Sequence, residues 1–182
     1  MGYTLSRLGK LPYDKDNEFY IFVIGNNAYK GGSLEKIVSN FDILAKDIGE
    51  NNIIAKGLNG KEWTFEIATK YFKDIPQIHD YFPGILITNS HPDQFSEKSM
   101  RILISLKQVD DKFNNIDQFF DLLIDFVNKK DDRFLDYANK NISWLDIAVD
   151  GAHLKPNLMG IGINLNYFLG LFKKSKKPII DN

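Results

Sequence analysis

The chain has 182 residues, of which 43% are hydrophobic and 13% aromatic, and this length and composition predict a globular protein with a substantial core. Its 23 Lys and Arg residues against 24 Asp and Glu residues give a net charge of −1, which argues against the broad basic surface that nucleic acid requires. Because the chain has no cysteine, dithiol redox chemistry, disulfides and cysteine metal sites are excluded, and we expect no cofactor.

The sequence predicts no membrane span and no secretory signal. No stretch reaches the roughly 18 apolar residues that cross a bilayer. Residues 1–11 lack the apolar centre of a signal peptide. We therefore expect a cytoplasmic protein, in which residues 1–18 form an irregular polar segment ahead of the first domain.

The first half of the chain predicts a parallel βαβ unit. Residues 19–24 are an unbroken apolar run typical of a strand that is buried on both faces. Apolar residues recur at helical spacing over residues 33–48, and Ser33 is a suitable N-cap. A second strand follows at residues 52–57, directly after this helix, so the two strands are expected to be parallel.

A second helix is predicted over residues 62–74, before Pro76. Its expected inner face consists of Phe65, Ala68, Tyr71 and Phe72.

Two further strands and a third helix complete this region. Residues 84–89 form an apolar run that predicts a second buried strand, entered through Pro83. Residues 101–106 predict the next strand, and the connection between these strands is too short for a helical crossover, so we expect an antiparallel hairpin. Asn115 is the predicted N-cap of the third helix, which runs to about residue 128.

The resulting order, strand-helix-strand-helix-strand-strand-helix over residues 19–128, resembles the thioredoxin-like fold. The resemblance implies a four-stranded mixed sheet with helices on both faces. It also implies a cis peptide bond before the third strand, which corresponds here to Phe82-Pro83. The position of the family's two redox cysteines is taken by Tyr29-Lys30-Gly31-Gly32, so the resemblance implies a scaffold without the redox activity.

Thioredoxin-like proteins bind extended peptides where the loop before the first helix meets the proline segment. By this resemblance the expected binding residues are Asn26, Asn27, Tyr29, Phe82 and Pro83. The glycines of the same loop precede a helix N-terminus, whose N–H groups could also hold an anion or a peptide carboxylate. An ordinary surface loop is the alternative interpretation.

Residues 129–182 leave the thioredoxin-like pattern and predict a mainly helical extension that packs on the domain. A helix is expected over residues 133–139, and residues 158–172 fit a helix better than a strand. Four lysines follow within residues 173–177. Core or oligomer packing is the preferred role of 158–177, and contact with an anionic membrane surface is the alternative.

Two groups of residues could support acid–base chemistry. Ser90, His91 and Asp93 lie just beyond a buried strand, where open α/β sheets place ligands. Their adjacency favours a polar turn instead, because catalytic triads are assembled from distant segments.

The second group contains Asp146, Asp150 and His153. Asp146 and Asp150 would share one face of a helix, and His153 could add a third metal ligand. The spacing matches no established metal motif, so a solvated helix end is preferred and no metal site is assigned.

The sequence thus favours a non-redox thioredoxin-like module that binds a peptide or protein partner, with a homo-oligomer as a further possibility. One alternative is a hydrolase or nuclease that uses the acidic and histidine residues above. Another is a small-molecule or nucleotide sensor built on the loop from Gly25 to Ser33.

Overall fold

A computed structural model describes the fold of residues 1–25, 31–73, 75, 78–96, 99–113, 115–141, 145–149 and 152–154. From residue 138 onward it describes the backbone alone.

Within these residues the protein is a mixed α/β structure around a seven-stranded sheet. The strands are β1 (Gly2–Leu5), β2 (Phe19–Ile24), β3 (Asn52–Gly57), β4 (Gly84–Thr88), β5 (Arg101–Ser105), β6 (Leu145–Val149) and β7 (Ala152–Leu154). Their order across the sheet is β1-β3-β2-β4-β5-β6-β7. Strand β3 is parallel to both β1 and β2, and every other neighbouring pair is antiparallel.

Six α-helices accompany the sheet in the described part of the chain. They are α1 (Gly32–Ser39), α2 (Phe41–Asp47), α3 (Gly60–Tyr71), α4 (Leu106–Lys112), α5 (Ile116–Lys129) and α6 (Arg133–Asn141). None of them is both long and apolar enough to cross a membrane.

The central strands are almost entirely apolar because both faces of the sheet are covered. Every residue of β2 and of β4 is buried. One face packs against α1, α2, α4, α5 and α6, and the other packs against α3 and the N-terminal segment. The predicted parallel β2–β3 pair and antiparallel β4–β5 hairpin are both confirmed.

The sheet is wider than the four strands predicted. Residues 1–18 were expected to be irregular, but β1 lies within them and pairs with β3. A four-residue strand that includes a glycine gives little sequence signal. On the other side, β6 and β7 extend the sheet beyond β5, so the predicted mainly helical extension is wrong for residues 145–149 and 152–154. The helix expected over residues 158–172 lies outside the described residues.

Two details of the helices also differ from the sequence prediction. The helix expected over residues 33–48 is divided at Asn40, whose side-chain amide donates to the carbonyl of Lys36 at 3.0 Å. Helix α3 buries Trp63, Thr64 and Ile67, whereas Phe65, assigned to the inner face, is 66% exposed.

Helix α6 and the cap of α5 by Asn115 agree with the prediction, and the Phe82-Pro83 bond is cis.

Tyr71 is a buried tyrosine whose phenolic oxygen has no hydrogen-bond partner among the described residues. Its ring packs against Phe22 and Phe95, at centroid distances of 5.7 and 4.5 Å. Burial raises the pKa of Tyr71 above its usual value, and the neighbouring Asp93 and Tyr20 raise it further. The folded protein therefore keeps this proton at pH values where the unfolded chain has lost it.

We expect Tyr71→Phe to raise the free energy of unfolding by about 1 kcal/mol near neutral pH, because it removes a buried unpaired hydroxyl. Above pH ~10 an unfolded tyrosine ionises, so the parent protein loses stability as the pH rises, and Tyr71→Phe should lose less. Urea unfolding at pH 7 and pH 10.5 measures both effects. Tyr13→Phe, at a position that is 56% exposed, is the control, and an equal alkaline loss in both variants would contradict the assignment.

Candidate functional site

A cleft opens at the ends of the parallel strands β1, β2 and β3, between α1 and the first turn of α3. Its volume is about 540 Å³. The carboxyl ends of strands are where open α/β sheets bind ligands. We call it the α1–α3 cleft, and it is lined by Thr4, Val23, Gly25, Gly31, Leu34, Glu35, Val38, Ser39, Lys56, Gly57, Leu58, Gly60 and Trp63.

One wall of the cleft is fixed by close contact between α3 and the strand ends. A Cβ atom on Gly57 would lie 2.3 Å from the Cβ of Trp63, so only glycine allows the helix to approach this closely. The indole Nε1 of Trp63 donates to the carbonyl of Val23 at 3.0 Å, and Thr64 Oγ1 donates to the carbonyl of Gly25 at 3.1 Å. These two bonds hold the start of α3 against the end of β2.

The opposite wall is α1, and its N-terminus is held by a carboxylate from α4. The backbone N–H of Ser33 donates to Asp110 Oδ1 at 2.8 Å, and the Ser33 hydroxyl donates to the same oxygen. Gly32 has a φ of 66°, and a Cβ there would lie 2.3 Å from Asp110 Oδ2. Asp110 thus occupies the helix end at which the sequence suggested an external anion.

The chemistry of the cleft is apolar with a charged rim. Leu34 and Trp63 supply buried apolar surface, whereas Val38 and Leu58 are 46% and 69% exposed. Lys56 lies at the rim, where its Nζ is 4.4 Å from the centroid of the Phe41 ring. An apolar group flanked by polar atoms would fit this arrangement.

None of the predicted binding residues that the structure describes lines this cleft. Asn26, Asn27 and Tyr29 lie outside the described residues, although Gly25 and Gly31 on either side of them line the cleft. Phe82 and Pro83 are buried.

The backbone around the proline is also engaged within the fold. The N–H of Phe82 donates to the carbonyl of His79 at 3.3 Å, and the carbonyl of Pro83 accepts from Leu106 at 2.9 Å. Gly84 pairs with Ile24, so the proline segment lies beside the start of the loop.

His91 has both ring nitrogens engaged in hydrogen bonds within the fold. Nε2 lies 3.1 Å from the carbonyl of Leu11, and Nδ1 accepts from the backbone N–H of Asp93 at 3.2 Å. These partners correspond to a neutral imidazole that is protonated on Nε2. The ring is 3% exposed and contacts Tyr13 and Tyr20 edge-on.

The neighbours of His91 do not complete a catalytic set. The Asp93 carboxylate is 74% exposed and its Oδ2 is 3.8 Å from Nδ1 of His91. The Ser90 hydroxyl donates to the His91 carbonyl at 3.4 Å and not to the imidazole. His91 therefore joins the N-terminal segment to the β4–β5 connection.

The two described residues of the second predicted group lie on strands and not on a helix. Asp146 is in β6, opposite Leu103, and His153 is in β7, opposite Ala148. The helical spacing assumed for Asp146 and Asp150 is therefore wrong, and Asp150 lies outside the described residues. Alternating apolar residues over 145–149 are the period-two signal of a strand. Among the described residues, no cluster of three or more potential metal ligands occurs.

Comparison with known proteins assigns neither a family nor a function to the chain. No protein-family model matches the chain, and neither a curated protein nor a solved structure is significantly similar to it. The fold and site define a mixed α/β protein with an apolar cleft at the ends of its parallel strands.

Proposed function

We propose that the protein is a non-redox, thioredoxin-like interaction module that binds a peptide or protein segment in the α1–α3 cleft. The parallel β2–β3 pair and the antiparallel β4–β5 hairpin support this choice of scaffold. Gly25 and Gly31 support the choice of this cleft as the binding site. Both line the cleft, and they flank the loop that is expected to bind peptides by the thioredoxin-like resemblance.

The observation that carries the proposal is the exposure of two apolar side chains at the mouth of the cleft. Leu58 is 69% exposed and Val38 is 46% exposed, and both line the same cavity as the buried Leu34 and Trp63. A partner side chain that enters the cleft would remove this apolar surface from water. Burial of a single leucine or phenylalanine side chain is worth about 1.5–3 kcal/mol.

The volume of the cleft also favours a second candidate function. A cavity of about 540 Å³ lies within the size range of small-molecule sites, so a metabolite sensor remains the alternative. A thermal-shift screen of nucleotides and small apolar acids distinguishes the two, because a bound metabolite raises the melting temperature in the absence of any peptide.

The test of the main proposal is selection of binders from a library of extended peptides. We expect enriched sequences to share one apolar anchor residue. Leu58→Asp and Val38→Asp should each weaken their binding about tenfold or more, because a carboxylate at the mouth opposes burial of that anchor. Fluorescence anisotropy with a labelled peptide measures the dissociation constants.

Ile43→Asp provides the matched control, since Ile43 is 62% exposed but does not line the α1–α3 cleft. This variant should bind like the parent protein. Equal affinities for the parent, Leu58→Asp and Val38→Asp would show that the peptides bind elsewhere, and the proposal would then be rejected.

A further inference from the structure

A second apolar concavity lies on the opposite side of α1, between the α1–α2 pair and α5. Its volume is about 260 Å³, and we call it the α2–α5 groove. Its apolar lining consists of Ile37, Ile43, Leu44, Phe120 and Ile124. Ile43 is 62% exposed, so the groove presents apolar surface to the outside.

The rim of this groove is acidic. Asp47, Asp117 and Asp121 line it, and Lys36 is the one cation among its lining residues in the described part of the chain. None of the three carboxylates takes part in an ion pair within that part, in contrast to the neighbouring Asp125, which pairs with Lys129 and Arg133. A matching ligand would therefore present an apolar stripe together with positive charge.

One segment of the same chain has this composition. Residues 165–177 combine apolar residues at helical spacing, Leu165, Phe168, Leu169 and Phe172, with lysines at positions 173, 174, 176 and 177. If helical, the apolar part from Leu165 to Phe172 would be about 10 Å long, which matches the roughly 10 Å of α5 between Asp117 and Ile124 that lines the groove.

The connection to the sheet is long enough for this contact. The last described residue is Leu154, in β7. Strand β7 lies four strands away from β2 in the sheet, and this separation corresponds to about 20 Å. The helical layer adds about 10 Å to that path. Residues 155–164 can span about 33 Å when extended.

We propose that residues 165–177 dock in the α2–α5 groove of their own chain, with the apolar residues in the groove and the lysines facing Asp117 and Asp121. This proposal does not depend on the function of the α1–α3 cleft, because the two concavities share no lining residue.

The absence of native cysteine makes a site-specific crosslinking test possible in the full chain. Ile43→Cys is combined with Ser175→Cys, and the dilute protein is treated with a short bismaleimide. We expect a crosslink within one chain, identified by mass spectrometry. Leu58→Cys with Ser175→Cys is the matched control, because Leu58 is 69% exposed and lies outside the groove.

Charge exchange separates docking from accidental proximity. Asp117→Lys with Asp121→Lys should slow the crosslinking about three- to tenfold at low salt, because two attractive contacts become repulsive. Changing the four lysines of 173–177 to glutamate in the same protein should restore the rate. Circular dichroism establishes that each variant is folded.

Several outcomes would overturn the proposal. These are equal crosslinking from Leu58→Cys, a rate that is insensitive to the charge changes, or crosslinks that join only two different chains. Flotation of the parent protein with anionic vesicles, abolished when the four lysines are changed to glutamate, together with no crosslink to Ile43→Cys, would assign the segment to a membrane surface instead.

Discussion

Trp63→Ala should lower the free energy of unfolding by about 3–5 kcal/mol, the range for large aromatic side chains removed from a core. Trp63 is 1% exposed and packs against Phe22 at a centroid distance of 6.0 Å. Its removal would leave a cavity and would also leave the carbonyl of Val23 without its donor. Urea unfolding followed by circular dichroism measures the loss.

Two further variants define what the tryptophan contributes. Trp63→Phe retains most of the volume and loses the hydrogen bond, so its cost should be about 1–3 kcal/mol. Leu58→Ala changes an exposed residue of the same cleft and should stay within about 0.5 kcal/mol of the parent. A Trp63→Ala protein as stable as Leu58→Ala would show that Trp63 does not hold α3 against the sheet.

The second large effect is expected at His91. His91→Ala should destabilise the protein by about 2–4 kcal/mol, because it removes a buried ring and leaves the carbonyl of Leu11 unpaired. His91→Gln, whose amide can still donate to that carbonyl, should recover part of the loss. Chemical denaturation of the three proteins at one pH provides the comparison.

Asp93→Asn is the control for this experiment. The Asp93 carboxylate is exposed, and the hydrogen bond from Asp93 to the imidazole ring comes from its backbone N–H, which the substitution retains. The free energy of unfolding should therefore change by less than about 0.5 kcal/mol. If His91→Ala were as stable as the parent protein, the structural role would be wrong and an acid–base role would return to consideration.

The central part of the fold follows from sequence because its strands carry a strong and unambiguous signal. Strand β2 is a continuous apolar run, β4 and β5 each contain three consecutive branched apolar residues, and Asn115 marks the start of α5. The outer strands are harder to predict. Residues Gly2–Leu5 become a strand through their pairing with β3, which is a long-range interaction that a local pattern does not contain.

The candidate site was predicted less completely than the fold. The glycines of the loop from Gly25 to Ser33 indicated where the cleft lies. Leu58 and Trp63 gave no such signal, because Leu58 follows the end of β3 and Trp63 lies in the next helix, so no short sequence motif contains both. The apolar residues at helical spacing over residues 33–48 include Val38, and this pattern predicts an inward-facing side chain, whereas Val38 is 46% exposed. Exposure of this kind depends on which neighbouring elements cover a helix, and periodicity does not report it.

The width of the sheet has a consequence for aggregation. Residues Ile102, Leu103 and Ile104 of β5 are fully buried, and β6 satisfies the backbone groups on the outer side of that strand. Removal of β6 would leave β5 as an apolar margin able to recruit strands from other molecules, which is a recognised route to fibrils. With β6 and β7 present, the described sheet ends in β1 and β7, which have four and three residues and offer little template for such growth.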